Sequence, residues 1–398
     1  MSTASNRYSL AFSSIGHAYA HLFEPIFYIV ALVLPGELGL PYEETLALII
    51  GGKLLFGLAA PLAGWLGDRW STVGMMAVYF LGLGASAVLV GLASSPVQMA
   101  VALTLLGLFG SIYHPVGIAW LVRSAVNRGK ALGVNGVFGG LGPAVAGVTA
   151  GVLIETLGWR SAFVIPGAVV LVTGAAFLVL LARGMVVEVK TDHQPQPPAS
   201  RADALRAGII LSVTMLCGGL VYQATQPALP KLFEARLDDI GVFGVGGAVM
   251  TVYLIAGLSQ VLSGHLADRY PLKLVYVGAY IAQIPLLLLA ASLSGLPLVL
   301  VAVMMVSFNM AGIPAENVLL ARYAPAKWRG TAFGMKFVLS FGVSGLGVPL
   351  VSVIHGATGG LYWLFVMLAG MAAIVAAAGM FLPAESAAEG KPATAPAE

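Results

Sequence analysis

The sequence predicts an all-α membrane protein, with twelve transmembrane helices in two pseudo-symmetric six-helix bundles. Of its 398 residues, 59% are hydrophobic and 9% are charged, whereas a soluble domain is roughly 45–50% apolar and about 25% charged. The 50 glycines suit helices that pack closely within a bilayer. This composition excludes a water-soluble enzyme, because too few polar residues are present to cover its surface.

Twelve apolar segments, separated by polar breaks, supply the predicted helices. Each is close to the length of about 20 residues with which a helix crosses a bilayer. The segments are residues 8–34, 43–66, 73–93, 97–121, 130–155, 161–183, 207–232, 241–265, 273–293, 297–321, 330–355 and 361–382.

Two polar stretches divide the chain into units. Residues 184–206 are rich in proline and glutamine and predict a cytoplasmic linker. It joins an N-terminal bundle, 1–183, to a C-terminal bundle, 207–382. The alanine-, glutamate- and proline-rich residues 383–398 predict a disordered cytoplasmic tail.

The distribution of basic residues predicts that both termini are cytoplasmic. In that orientation, 15 of the 20 lysines and arginines face the cytoplasm and 3 lie in the opposite loops, which satisfies the positive-inside rule. We therefore expect a multi-pass protein of a bacterial inner (cell) membrane with an uncleaved first helix. The single cysteine, Cys217, excludes an intramolecular disulfide.

The two halves of the chain repeat one another. The sequence GWLGDR at residues 64–69 recurs as GHLADR at residues 264–269, an offset of 200. Glu24 and Pro25 correspond to Gln226 and Pro227 at an offset of 202. Repeated motifs at nearly constant spacing indicate two six-helix halves of common ancestry in the same orientation.

These paired motifs resemble the loop between helices 2 and 3 in the major facilitator superfamily, G-x-L-[AG]-D-R-x-G-[RK]. Asp68 and Arg69 match it, as do Asp268 and Arg269, although residues 71 and 72 depart from the basic pattern. The resemblance covers nearly the whole chain and implies two bundles that rock around a central cavity. It also implies that these four residues act in gating, by holding the bundles together when the cavity faces outward.

Two further motifs resemble particular branches of that family. The glycines around Gly142 and Pro143 are similar to the fifth-helix motif of drug:proton antiporters, which implies export and a gating role for both residues. The sequence GSIYHP at 110–115 is similar to the fosmidomycin-resistance type of exporter. Generic close packing of helices explains the glycines equally well.

Ionisable side chains within the predicted spans are candidates for function, because they are costly in a bilayer. His17, His21 and Glu24 share one face of the first helix by their spacing. Counting from the ends of their helices places Glu24 and Lys53 at the same depth, so we expect them to pair. The pair can act as a proton switch, with His21 and His17 in support, or as a static bridge between helices; both alternatives stay open.

The second half replaces this charge pair by neutral polar groups. Gln226 corresponds to Glu24, and Tyr253 corresponds to Lys53. We expect substrate contacts from both halves. The candidates are Glu24, Lys53, His114, Tyr222, Gln223, Gln226, Tyr253 and Asn309.

Two further groups of side chains have other predicted roles. Glu316 and Lys336 lie at matching depth near the cytoplasmic mouth, which predicts a gate or a structural bridge. His17, His21, Glu24 and His114 supply imidazole and carboxylate groups that suit transition metals. Their spacing matches no metal motif, so we expect no bound metal or cofactor and keep a transition-metal transporter as a further alternative.

The function that these features favour is secondary active transport without enzymatic activity. We expect proton-coupled export of a small amphiphilic or anionic organic compound by a monomer that binds no nucleic acid. Its partners are then the substrate, protons and the lipid bilayer. Proton-coupled uptake of an organic anion is the main alternative. No G-x-x-x-x-G-K-[ST] motif occurs in the sequence, so ATP-driven pumping has no support.

Overall fold

A computed structural model describes residues 3–125, 128–187, 200–324 and 329–383. Within these ranges every regular element is helical. Ten helices are long and apolar enough to cross a membrane, and Tyr42–Leu58 with Ala60–Arg69, bent by 44°, adds an eleventh span. The remaining expected span, 8–34, is a broken helix. The all-α, multi-pass prediction is therefore confirmed, and the count of twelve depends on treating this broken helix as one span.

We number the spans α1–α12 in chain order. The N-terminal spans are α1 (Thr3–Ala20 and Phe23–Val30), α2 (Tyr42–Ala47, Ile50–Leu58 and Ala60–Arg69), α3 (Thr72–Leu92), α4 (Pro96–Gly110, a π-helical turn at Tyr113–Gly117, and Ile118–Ser124), α5 (Arg128–Leu157) and α6 (Ser161–Ala182). A short helix, Leu34–Leu38, lies between α1 and α2.

The C-terminal spans follow the same order. They are α7 (Arg201–Arg236), α8 (Gly241–Arg269), α9 (Leu272–Ala290), α10 (Gly295–Tyr323), α11 (Arg329–Phe337, a π-helical turn at Val338–Gly342, a 3-10 turn at Val343–Leu346, and Gly347–Thr358) and α12 (Tyr362–Gly379).

The break in α1 has a local cause. Pro25 has no backbone N–H, so it cannot donate to the carbonyl of His21 one turn earlier. At the break, the amides of His21 and Leu22 donate to the carbonyls of Ala18 and Tyr19, three residues before them, at 3.2 and 3.3 Å. The interruption therefore sets the direction of the second piece of α1, which carries Glu24.

The π-helical turns in α4 and α11 mark two other irregular places in the bundle. Pro115 lies within the turn of α4 and again removes a backbone donor. His114 is its neighbour. Such turns are often found at functional sites, because they redirect side chains out of the regular helical pattern.

The two halves approach each other closely where glycines face glycines between α5 and α8. A Cβ atom on Gly147 would lie 2.5 Å from the carbonyl oxygen of Gly246, and one on Gly140 would lie 3.1 Å from the Cα of Gly257. Only glycine permits backbones to approach this closely. The fifth helix therefore contacts the C-terminal half through its glycines.

Polar contacts also join the halves at the end of the molecule where α1 leads into α2. The hydroxyl of Tyr42 donates to the carbonyl of Pro227 at 3.2 Å. Close by, His355 Nδ1 lies 3.5 Å from a carboxylate oxygen of Glu43. These contacts hold α2 against α7 and α11 and close this end of the bundle.

The structure corrects one predicted boundary. The helix α7 begins at Arg201, whereas the linker was expected to continue to residue 206. The Ser200 hydroxyl accepts the backbone N–H of Asp203 at 3.1 Å and caps the helix there. Residues 188–199 of the linker and 384–398 of the tail lie outside the described residues. The division into two bundles and the cytoplasmic position of the termini stay predictions.

Candidate functional site

A buried ion pair joins α1 to α2 within the N-terminal half. Lys53 is 1% exposed and Glu24 is 8% exposed. The ammonium group of Lys53 donates a hydrogen bond to a carboxylate oxygen of Glu24. Two opposite charges in contact keep each other ionised where either alone would be neutralised. The structure thus brings into contact the two residues that their positions along the helices place at the same depth in the membrane.

Three histidines gather beside this pair. His17 and His21 of α1 have ring centroids 5.2 Å apart, and His114 of α4 lies 5.3 Å from the first and 5.0 Å from the second. Glu24, the fourth residue of the metal hypothesis, turns towards Lys53, and the group of possible ligands found among the described residues contains only the three histidines. The break after Ala20 accounts for this separation, since Glu24 belongs to the next helical piece.

A hydrogen-bond network holds His17 in place. Its Nδ1 lies 2.8 Å from the backbone carbonyl oxygen of Asn135 in α5. The Asn135 side chain donates to the Tyr113 hydroxyl at 2.7 Å, and that hydroxyl donates to the carbonyl of Ser13 at 2.8 Å. Asn135 was not predicted from the sequence, although a polar amide within a glycine-rich span is a recognisable sign of a functional residue.

A collapsed cavity lies among polar groups of the C-terminal half. It has no room for a water molecule in this conformation and is lined by Tyr222, Thr225, Gln283, Met305, Val306 and Asn309. Gln226 donates to the Tyr222 hydroxyl at 2.8 Å, next to this space. Gln283 was missed from the sequence, but it is the amide within an apolar stretch of α9. His114 lies in the histidine cluster, and its role as a substrate contact stays a prediction.

Several buried polar atoms around this cavity have no hydrogen-bond partner among the described residues. The side-chain oxygens of Gln226 and Gln283 and the amide nitrogen of Asn309 belong to this group, as does the hydroxyl of Tyr253. Gln223 donates to the backbone but its own oxygen is likewise unpaired. Since an unpaired buried polar group costs about 1–3 kcal/mol, these atoms are suited to meet a ligand.

A second buried ion pair lies between α10 and α11. Lys336 Nζ is 2.7 Å from one carboxylate oxygen of Glu316 and donates to the side-chain oxygen of Asn317 at 2.6 Å. The Tyr276 hydroxyl donates to the other oxygen of Glu316 at 2.9 Å. This pair stays within the C-terminal half, so the geometry fits a bridge inside one bundle.

The paired loop motifs occupy different surroundings in the two halves. Asp68 accepts a hydrogen bond from Arg123 of α4 at 2.8 Å, and the Arg69 guanidinium lies 6.0 Å from the ring of Trp65. Both contacts remain within the N-terminal half. Asp268 and Arg269 are exposed at the end of α8. The gating role of all four residues stays a prediction.

Of the two residues singled out in the fifth-helix motif, Gly142 faces α1 of the same half. A Cβ on Gly142 would lie 2.5 Å from the carbonyl oxygen of Ala18 in α1. Pro143 is buried inside α5. The neighbouring glycines Gly140 and Gly147, by contrast, face α8. Gly142 therefore permits the close approach of α1, while its neighbours permit the approach of the other bundle.

Comparisons with known proteins agree with this architecture. The Major Facilitator Superfamily model matches residues 12–252 and 211–398. The puromycin resistance protein pur8 of Streptomyces alboniger is 33% identical over 138 residues, which are 33% of this chain and 27% of that protein. The staphyloferrin B transporter of Staphylococcus aureus is 28% identical over 249 residues, 56% of each chain. The chain thus spans from about a quarter to about half of these relatives' lengths.

Solved structures show the same fold at low identity. The peptide transporter POT, in complex with sulfate, is 15% identical with a TM-score of 0.74, covering 94% of this chain and 93% of that one. A bacterial homologue of the human lysosomal transporter Spinster, inward-facing and occupied, is also 15% identical with a TM-score of 0.72, covering 96% and 95%. Because the family model matches nearly the whole chain, the chain belongs to the major facilitator superfamily.

Proposed function

We propose that the protein exports a small amphiphilic or anionic organic compound by alternating access, with proton movement coupled at Glu24 and Lys53. The observation that carries the proposal is the buried Glu24–Lys53 pair beside unpaired polar groups of the other half. Tyr222, which lines the cavity, lies within electrostatic range of Glu24. A change in the charge of Glu24 therefore changes the electrostatic potential where the substrate would bind.

The ion pair offers a simple way to couple proton movement to substrate binding. A cationic or hydrogen-bond-donating group of an amphiphilic substrate that binds Glu24 would compete with a proton for the same carboxylate, which gives exchange of substrate for protons. A substrate anion that binds Lys53 in place of Glu24 would leave the carboxylate free to take up a proton, which gives co-transport. The sign of proton movement thus separates export by antiport from uptake by symport.

The name of one relative, a puromycin resistance protein, supports export, since a member of a transporter family can confer resistance by removing the antibiotic from the cell. The glycine contacts between α5 and α8 are compatible with that direction. The positive charge of Lys53, which an anion could pair with if Glu24 were displaced, supports uptake of an organic anion as the second candidate. The alternative of a static bridge predicts no proton movement at all.

The test is substrate-driven proton movement in proteoliposomes with a pH indicator inside. Puromycin and staphyloferrin B, the compounds for which the relatives are named, serve as first probes. The variant Glu24→Gln removes the titrating group, and Glu44→Gln, the same chemical change at an exposed site in α2, is the matched control. We expect proton movement in the wild type and in Glu44→Gln, and its loss in Glu24→Gln. Substrate flux without proton movement, unchanged by Glu24→Gln, would contradict the proposed coupling.

A further inference from the structure

The three histidines form a compact set of potential ligands between α1 and α4. One ring nitrogen from each of His17, His21 and His114 lies within 4.8 Å of the others. Nitrogens bound to one Zn²⁺ at about 2.0–2.1 Å are about 3.3 Å apart in a tetrahedral site. Small rotations of the rings would close that difference. We propose that this cluster binds one divalent transition-metal ion.

His17 is already oriented as a metal ligand. A backbone carbonyl can only accept a hydrogen bond, so the Nδ1 atom of His17, 2.8 Å from the carbonyl oxygen of Asn135, carries the proton. The Nε2 atom then keeps its lone pair. Metal-binding histidines usually donate their second nitrogen to a carbonyl or carboxylate in this way, which fixes the ring and its tautomer.

His114 supplies an independent indication of a ligand. It is 8% exposed, and neither of its ring nitrogens has a hydrogen-bond partner among the described residues. Its ring stacks on Phe337 and Phe341 of α11, at centroid distances of 4.9 and 5.3 Å. These rings offer no polar partner, so the buried imidazole is left to bind something absent from the protein itself. A metal ion would satisfy one of its two nitrogens.

Two lysines near the cluster, Lys53 and Lys336, act against positive charge on the histidines. Each is paired with a carboxylate, Glu24 in the first case and Glu316 in the second. The pairing reduces, but does not remove, the repulsion that a bound cation would meet. His17 and His21 remain partly exposed, so an ion can reach the cluster through them.

The donor set indicates the class of ion. Three neutral imidazoles favour zinc, cobalt, nickel or copper over magnesium or calcium, which prefer oxygen. Three protein ligands leave a fourth position open to water or to an oxygen atom of a second ligand. This inference goes beyond the transport proposed above and does not depend on it, because binding is measured on the solubilised chain without a gradient.

The test is metal binding by the purified full chain, carrying an affinity tag without histidine. Zn²⁺ binding is measured by titration calorimetry, and Co²⁺ binding by the visible absorption that reports nitrogen ligands in a site of low coordination number. The variants are His114→Gln and His17→Gln. The matched control is His265→Gln, at an exposed histidine of α8. Size-exclusion chromatography checks that each variant remains monodisperse.

We expect one ion per wild-type chain, unchanged binding in His265→Gln, and at least a 10-fold loss of affinity in each cluster variant, since even changes outside the ligand set cost about 10–100-fold. The Co²⁺ spectrum of the wild type, which needs no variant, reports the site if a variant fails to fold. Absence of binding in the wild type, or equal binding after all three histidines are replaced, would overturn the proposal.

Discussion

Breaking the Glu24–Lys53 pair is predicted to destabilise the protein in a way that depends on which partner is removed. Lys53→Met leaves a buried carboxylate, and Glu24→Gln leaves a buried ammonium group, because both side chains are almost fully enclosed. An isolated buried charge is relieved by neutralisation. The carboxylate must take up a proton, and the ammonium group must lose one, so the two variants respond to pH in opposite directions.

The magnitudes follow from the cost of neutralisation. For a carboxyl group with the ordinary pKa of about 4.3, protonation costs roughly 3.7 kcal/mol at pH 7 and roughly 1 kcal/mol near pH 5. For an amine with the ordinary pKa of about 10.4, deprotonation costs roughly 4.6 kcal/mol at pH 7 and roughly 2 kcal/mol near pH 9. We expect these costs to bound the loss in free energy of unfolding. Lys53→Met therefore recovers stability as the pH falls, and Glu24→Gln recovers it as the pH rises.

The assay is reversible unfolding by SDS in mixed micelles, followed by circular dichroism at acidic, neutral and alkaline pH. The double variant Glu24→Gln with Lys53→Met is the control, because it leaves no lone charge. We expect it to lie within about 1–2 kcal/mol of the wild type, since replacing both partners of a buried pair is often nearly neutral. Equal stability of both single variants at every pH, or the same pH trend in both, would refute the reasoning.

Two further predictions concern packing and hydrogen bonding. Gly147→Ala places a Cβ atom 2.5 Å from the carbonyl oxygen of Gly246, so we expect a lower melting temperature than in the wild type. The control is Gly136→Ala on the same helix, whose Cβ atom meets nothing within 4 Å, and its melting temperature should match or exceed that of the wild type. Equal melting temperatures of the two variants would contradict the close contact. Tyr276→Phe removes the 2.9 Å hydrogen bond to Glu316. We expect it to lower the free energy of unfolding in the SDS assay by about 1.5–3 kcal/mol. A loss below about 0.5 kcal/mol would show that the hydrogen bond is not formed.

Parts of the site could be predicted from the sequence because depth in a membrane can be counted along a helix. A rise of about 1.5 Å per residue placed Glu24 level with Lys53 and Glu316 level with Lys336, and both pairs are in contact. Isolated charges are costly at that depth, which makes such pairing the expected outcome. The roles of these pairs in coupling and gating stay predictions.

Other parts could not be predicted, because they depend on backbone breaks and helix rotation. The even spacing of His17, His21 and Glu24 suggested one shared face, but the break before Pro25 turns Glu24 away from the histidines. Gln283 was overlooked since nothing in its apolar stretch shows whether it faces lipid or the cavity. The position of His114 between two phenylalanines of α11 depends on a contact between the two halves.

The sequence by itself determined that this protein is an all-α, multi-pass membrane protein of the major facilitator superfamily. These properties follow from composition, segment length and motif spacing, which are local or periodic along the chain. Only the tertiary structure decided which polar side chains meet, which are left unpaired around the cavity, and that three histidines converge. The physical reason is that hydropathy fixes the depth of a residue, whereas packing against neighbouring helices fixes the rotation that aims its side chain.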